Sequence, residues 1–163
     1  MSGRPLTPDE TSLAASVFGD AIDYGRVRIH NRKWAFFQPR AVAMAPMGHI
    51  HFHPAGPHYC DDFCSAPLSA QGLFIHEMTH VWQTQQRGKY WLPLMRHPFC
   101  RYRYTLKPGQ PLDRYGIEQQ AEIVRHAFLL AKGAQLPGAP SPSSYRGLLP
   151  FGPKALDAAL AAR

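Results

Sequence analysis

The chain has 163 residues, 45% of them hydrophobic, enough to fill one core in a single domain over 1–163 and too apolar for a disordered chain. Eighteen Lys and Arg against 11 Asp and Glu leave a net charge of +7, which favours anionic partners. No run of about 18 apolar residues exists, which excludes a membrane-spanning helix.

The opening "MSGRPLTPDE" lacks the apolar centre of a secretory signal. The cytoplasm is therefore the default location, with export by a route that reads no signal peptide left open. Within it, Thr7 as N-cap, Pro8 at the first helical position and Glu10 three residues after the cap predict a helix start. Leu13, Val17 and Phe18 give that helix an apolar face, and Gly19 marks its stop. From 26 to 53 the pattern changes to short strands: "RVRIH", "AVAMA" and "HIHFH", with Pro-Met-Gly at 46–48 between the last two. The basic clusters at 26–33 and 101–104 match no nucleic-acid module, so nucleic acid is not the expected partner.

A loop rich in Pro, Gly, Cys and Asp covers 54–67. Cys60 and Cys64 within it suit a disulfide or plain thiols better than a zinc finger, because no second Cys/His pair stands at finger spacing. Residues 68–87 read as one long helix, with Leu73, Phe74, Met78, Val81 and Trp82 at helical intervals and Gly88 as its end. A Pro- and aromatic-rich connection follows. A second strong helix is predicted over 113–131 from Ile117, Ala121, Val124 and Phe128. The Pro/Gly/Ser-rich segment 133–150 reads as extended and mobile, and a short Ala-rich helix after Pro153 closes the chain. Helix, short strands, long helix and long helix make an α+β chain.

The first long helix contains His76-Glu77-Met78-Thr79-His80. Residues four apart share a helix face, so His76 and His80 can aim two imidazole nitrogens at one zinc ion, while Glu77 reaches its open side as a general base. With nine His and four Glu in the chain, chance places such a motif in roughly 1% of sequences, which is too rare to ignore. The second helix offers Glu118 as a third ligand. Glu122, again four residues on, is placed to accept the other ring N–H of a ligand histidine. Three of the four glutamates fall in these two motifs.

The HExxH of 76–80 with Glu118-x-x-x-Glu122 resembles the gluzincin pattern, in which HExxH is followed by ExxxD. The resemblance implies a zincin-like fold: a small twisted sheet packed on an active-site helix, plus a second helix carrying the glutamate ligand. It also implies a zinc metallopeptidase in which Glu77 assists attack of zinc-bound water on a peptide bond. His76, His80 and Glu118 would be the ligands and Glu122 an outer hydrogen-bond partner. This chain carries Glu122 where the family usually has Asp, and its gap from His80 to Glu118 is longer than in thermolysin-like members. Over about 23–86, "VRIH" and "LFIHEMTHVWQ" look like the HExxH domain of unknown function near extracellular contractile injection systems. More narrowly, they look like the bacterial Vgr-related proteins named for type VI secretion spike neighbours. That resemblance implies a secretion-system spike protein as partner and export by that machine, with a peptide or protein substrate, cell-wall associated in view of the basic charge.

Other side chains have alternative readings. His49, His51 and His53 fall on one face of a strand, as an auxiliary ligand set, as contacts to an extended substrate, or as an exposed polar face. Tyr115, three residues before Glu118 and on the same helical side, is the candidate oxyanion donor, with His97, His126 and Arg125 as others. Trp82, Trp91, Tyr90 and Phe99 read as core. The rival to the enzyme is a non-catalytic accessory of a secretion machine, whose zinc only ties two helices together. A closed site of that kind needs a fourth protein ligand from His49, His51, His53 or Cys60.

Overall fold

The computed structural model describes residues 3–96 and 100–163. Strand β1 (Arg4–Pro5) pairs antiparallel with β2 (Arg28–His30), which pairs parallel with β3 (Ile50–His51) in the order β1-β2-β3. Ile29 lies opposite Ile50 and His30 opposite His51. The apolar pair is buried in the core, while the histidines project from the other face, as strand alternation requires. "AVAMA" forms no strand. Met44 makes only an isolated antiparallel bridge to His51, and Pro46, which has no N–H, cannot extend it.

Helix α1 (Pro8–Phe18) begins as the sequence predicts. The Thr7 hydroxyl accepts from the Glu10 amide at 3.0 Å, and the Glu10 carboxylate accepts from the Thr7 amide at 2.9 Å. Glu10 is fully buried and does more than cap. It accepts from both Arg4 Nη atoms at 2.8 Å each and from the Phe63 amide at 3.0 Å. One carboxylate thus ties β1, α1 and the 3-10 turn Phe63–Ser65 together.

The long helix α2 (Leu68–Arg87) packs along α4 (Ile117–Ala131), and the sheet rests on α2 through β3. Gly72 permits the close helix crossing: a Cβ there would stand 3.0 Å from Leu129 Cδ2. Phe52, Phe63 and Phe74 stack in series with ring centroids 5.4 and 5.2 Å apart, joining the end of β3 to α2. The short α3 (Trp91–Met95) follows α2 after Gly88, whose φ of +97° suits glycine, and α5 (Lys154–Ala161) packs on α4.

Several expectations need correction. The second long helix starts at Ile117, not 113: residues Leu112–Arg114 form a 3-10 turn, and Tyr115 and Gly116 are extended. The Gln119 side chain accepts from the Gly116 amide at 2.9 Å and so fixes the helix start there. Segment 133–150 is not extended throughout. It holds the 3-10 turn Pro142–Tyr145, whose Tyr145 is fully buried, and Leu149 also enters the core. Tyr90 is 64% exposed rather than core, whereas Trp82 packs on Phe151 at 4.8 Å. Trp91 is half-buried under Arg87, and Phe99 lies outside the described residues. Cys60 and Cys64 form no disulfide; the Cys64 thiol lies 3.5 Å from the Asp9 carbonyl. No described helix is long and apolar enough to cross a membrane.

Candidate metal centre

His76 and His80 lie one turn apart on the face of α2 that packs against α4, because residues four apart share a helix face. Glu118 enters from the first turn of α4. His76 Nε2 is 3.3 Å and His80 Nε2 3.1 Å from the same oxygen, Glu118 Oε2. The three ligand atoms all lie within 4.8 Å of one another, and all three residues are buried. Tetrahedral zinc with bonds of about 2.1 Å sets its ligand atoms roughly 3.4 Å apart, so this donor set of two imidazoles and a carboxylate fits a zinc ion.

Each ring's other nitrogen is engaged. His76 Nδ1 is 2.8 Å from Glu122 Oε1, and His80 Nδ1 is 2.9 Å from Gln83 Oε1. The Gln83 amide nitrogen donates to the Ile117 carbonyl at 3.0 Å and to Gln120 Oε1 at 2.9 Å, which leaves its oxygen as the acceptor. With a metal bound, this wiring would hold Nδ1–H on both rings and leave an Nε2 lone pair on each for the metal. Glu122 is itself held by Arg125 at 3.2 Å and faces His126 Nε2 at 3.4 Å. Glu118 Oε1 faces Arg96 Nε at 3.3 Å, as an ion pair without hydrogen-bond alignment.

Without a metal, the same carboxylates favour a proton on both nitrogens of His76. Burial disfavours a charge on His76, but hydrogen bonds to Glu118 and Glu122 outweigh it and raise the metal-free imidazole to about 9. Burial likewise opposes charge on Glu118, yet its bonds to His76 and His80 hold it well below the usual carboxylate range. Glu122, pushed up by burial and down more strongly by His76, lies at about 2. Both carboxylates are thus ionised at neutral pH. Glu77, next along α2, is 4% exposed, and its Oε2 has no hydrogen-bond partner. A buried carboxylate oxygen without a donor is costly unless something else in the site meets it.

No family model matches the chain. It is 44% identical over 135 residues to the type VI secretion system spike protein VgrG2b of Pseudomonas aeruginosa, a match covering 78% of this chain. The matched stretch spans only 13% of the length of that spike protein. In three dimensions the chain is similar to the effector domain of Pseudomonas aeruginosa VgrG2b, with a TM-score of 0.69 and 42% identity. This likeness covers 80% of this chain and 75% of that domain. The chain belongs to the VgrG2b effector-domain family. The Vgr-related resemblance carried by "VRIH" and "LFIHEMTHVWQ" therefore holds.

In this member of the VgrG2b effector-domain family, His76, Glu77, His80, Glu118 and Glu122 come together. Tyr115 does not lie on their helix: it is extended, buried, and its hydroxyl accepts from the Lys107 amide at 2.9 Å. Its expected position on the Glu118 side of a helix turn is corrected accordingly. His126 and Arg125 support Glu122, and His126 Nδ1 is also 2.6 Å from the Tyr104 hydroxyl. His97 lies outside the described residues.

The expected row of three strand histidines is also corrected. β3 has two residues, so only His51 is on a strand, and it is buried, stacked on His30 at 4.3 Å. His49 meets His30 edge-on at 5.9 Å, and His53 Nδ1 accepts from the Ala55 amide. None of the three belongs to the metal cluster.

Three residues escaped the sequence reading. Gln83 carried a usable signal, since it sits three residues after His80 on the same helix face. Arg96 and Tyr102 come from irregular chain and carried none. The Tyr102 ring stacks over His76 with centroids 6.2 Å apart and is 48% exposed.

Proposed function

We propose that this chain is a zinc metallopeptidase of the gluzincin type on a zincin-like fold, with His76, His80 and Glu118 as ligands. The observation that carries the reading is the convergence of these three buried donor atoms beside the unpartnered carboxylate oxygen of Glu77. Zinc held there supplies a Lewis acid that polarises a scissile carbonyl and acidifies water. Glu77 takes the proton of the attacking water as the new C–O bond forms, then delivers it to the leaving amine as the C–N bond breaks. Gln83 and Glu122 hold the imidazoles in the Nδ1–H tautomer, and Arg96 orients Glu118.

Tyr102 takes the role first expected of Tyr115. It is half-exposed above His76, and burial followed by the Glu118 charge raises its phenol, keeping it a proton donor at neutral pH. In that state it hydrogen-bonds the developing oxyanion. The substrate is a peptide or protein, and the net charge of +7 favours an acidic or cell-wall-associated one. The spike-protein relative supports delivery by a type VI secretion apparatus, with a spike protein as partner.

The second reading is a non-catalytic accessory protein stapled by zinc. It calls for a fourth protein ligand, and the clustered group among the described residues has three. Glu77→Gln separates the two. Under the enzyme reading the variant keeps its zinc and loses hydrolysis of an unstructured protein substrate such as casein. An accessory protein would show no casein hydrolysis in wild type and no change in the variant.

A further inference from the structure

The loop between β2 and β3 exposes three aromatic side chains. Phe36 is 89% exposed, Phe37 60% and Trp34 36%. They touch one another edge to face, Phe36 to Phe37 at 5.3 Å and Trp34 to Phe37 at 6.4 Å. The loop beneath them is built rather than slack. Gln38, 3% exposed, donates to the carbonyls of Val42 and His51 at 2.8 and 2.9 Å and accepts from the Trp34 amide at 2.8 Å. Lys33 Nζ donates to the Phe36 carbonyl at 3.1 Å. A glutamine is buried while two phenylalanines are left in water, the reverse of the usual partition. The apolar tip recovers that free energy only against a partner.

Charge selects the partner. Between Tyr24 and Cys60 the sequence has five basic residues, Arg26, Arg28, Arg32, Lys33 and Arg40, and no Asp or Glu. Arg32, Lys33 and Arg40 are exposed and flank the aromatic tip. A second copy docking on this patch would set like charges against each other. An anionic bilayer answers both features: Trp and Phe rings sit at headgroup depth, and each nearby Lys or Arg gains from the negative surface.

We propose that the 32–40 loop is an interfacial anchor that docks the chain on an anionic phospholipid surface. Trp34, Phe36 and Phe37 enter the headgroup region, with Arg32, Lys33 and Arg40 on the lipid phosphates. This anchor is independent of the metal centre and of any hydrolysis.

The test is co-sedimentation of the full chain with phosphatidylethanolamine vesicles containing phosphatidylglycerol, beside pure phosphatidylcholine vesicles. The expected result is binding to the anionic vesicles that weakens with salt. The F36S/F37S double variant should lower it by about ten-fold or more, the scale of burying one aromatic side chain. Brominated lipid should quench part of the wild-type tryptophan emission, and Trp34→Phe should remove that part. Three results overturn the proposal. One is no binding to anionic vesicles, which would point to an acidic protein instead. Another is binding untouched by F36S/F37S together with no Trp34 quenching. The third is a wild-type dimer that F36S/F37S dissociates, which would make a second copy the occupant.

Discussion

Replacing Gln83 by leucine isolates the hydrogen-bonded frame around the centre without removing a ligand. Gln83 is 2% exposed and makes three hydrogen bonds: from His80 Nδ1–H, to the Ile117 carbonyl and to Gln120 Oε1. Gln120 in turn donates to the Tyr115 carbonyl at 2.8 Å, so the chain of bonds runs from His80 to the segment that starts α4. At about 1 kcal/mol net per hydrogen bond, Gln83→Leu should destabilise the metal-free protein by about 3 kcal/mol. Leaving the His80 Nδ1–H without an acceptor should also weaken zinc binding by roughly 10–100-fold. Urea unfolding reads the first effect and competition with a chromophoric chelator the second. A variant with wild-type zinc affinity would refute the claim that Gln83 sets the His80 tautomer, whatever its stability.

Other consequences can be checked directly. Zinc binding at pH 7 should release about one proton from His76, whose metal-free value is about 9. The apparent zinc dissociation constant should then rise roughly ten-fold per unit as pH falls from 8 to 6, and calorimetry in buffers of different ionisation enthalpy would show it. Because the folded value of His76 is raised, its contribution to metal-free stability is complete below its unfolded value near 6.5. That contribution is lost as pH climbs through 9, opposite in sign to the zinc effect. Glu10→Ala should cost about 3–5 kcal/mol in thermal or urea unfolding, since it strands Arg4 and removes a helix cap. Gly72→Val should cost roughly 1–3 kcal/mol by forcing α2 from Leu129, with α-helical circular dichroism retained below the transition.

Local rules made much of the molecule legible. Thr7-Pro8-x-Glu10 specifies α1 within four residues, and the periodicity of α2 places His76 and His80 on one face before any tertiary contact is known. Glu118 and Glu122 were legible for the same reason. What failed depended on distant chain. The apolar period carries the helix back to Tyr115, but Gln119 caps Gly116 while donating to the distant Arg103 carbonyl at 2.7 Å, and the helix starts only at Ile117. The strands are two or three residues long, and pairing across the sheet rather than intrinsic pattern selects which residues form them. The segment around Tyr145 reads as a Pro/Gly/Ser linker, yet one aromatic ring, bonded to Tyr104 at 2.6 Å, fastens it to the core. Arg96 and Tyr102 reach the centre from irregular chain, where sequence spacing carries no geometry.

Elemental analysis of purified wild type beside Glu118→Ala tests the central claim most directly, with circular dichroism confirming that both are folded. The account predicts about one zinc per wild-type chain and strong loss in the variant. A folded wild type that holds no zinc after resupply, or a Glu118→Ala variant that keeps its full complement, would contradict it.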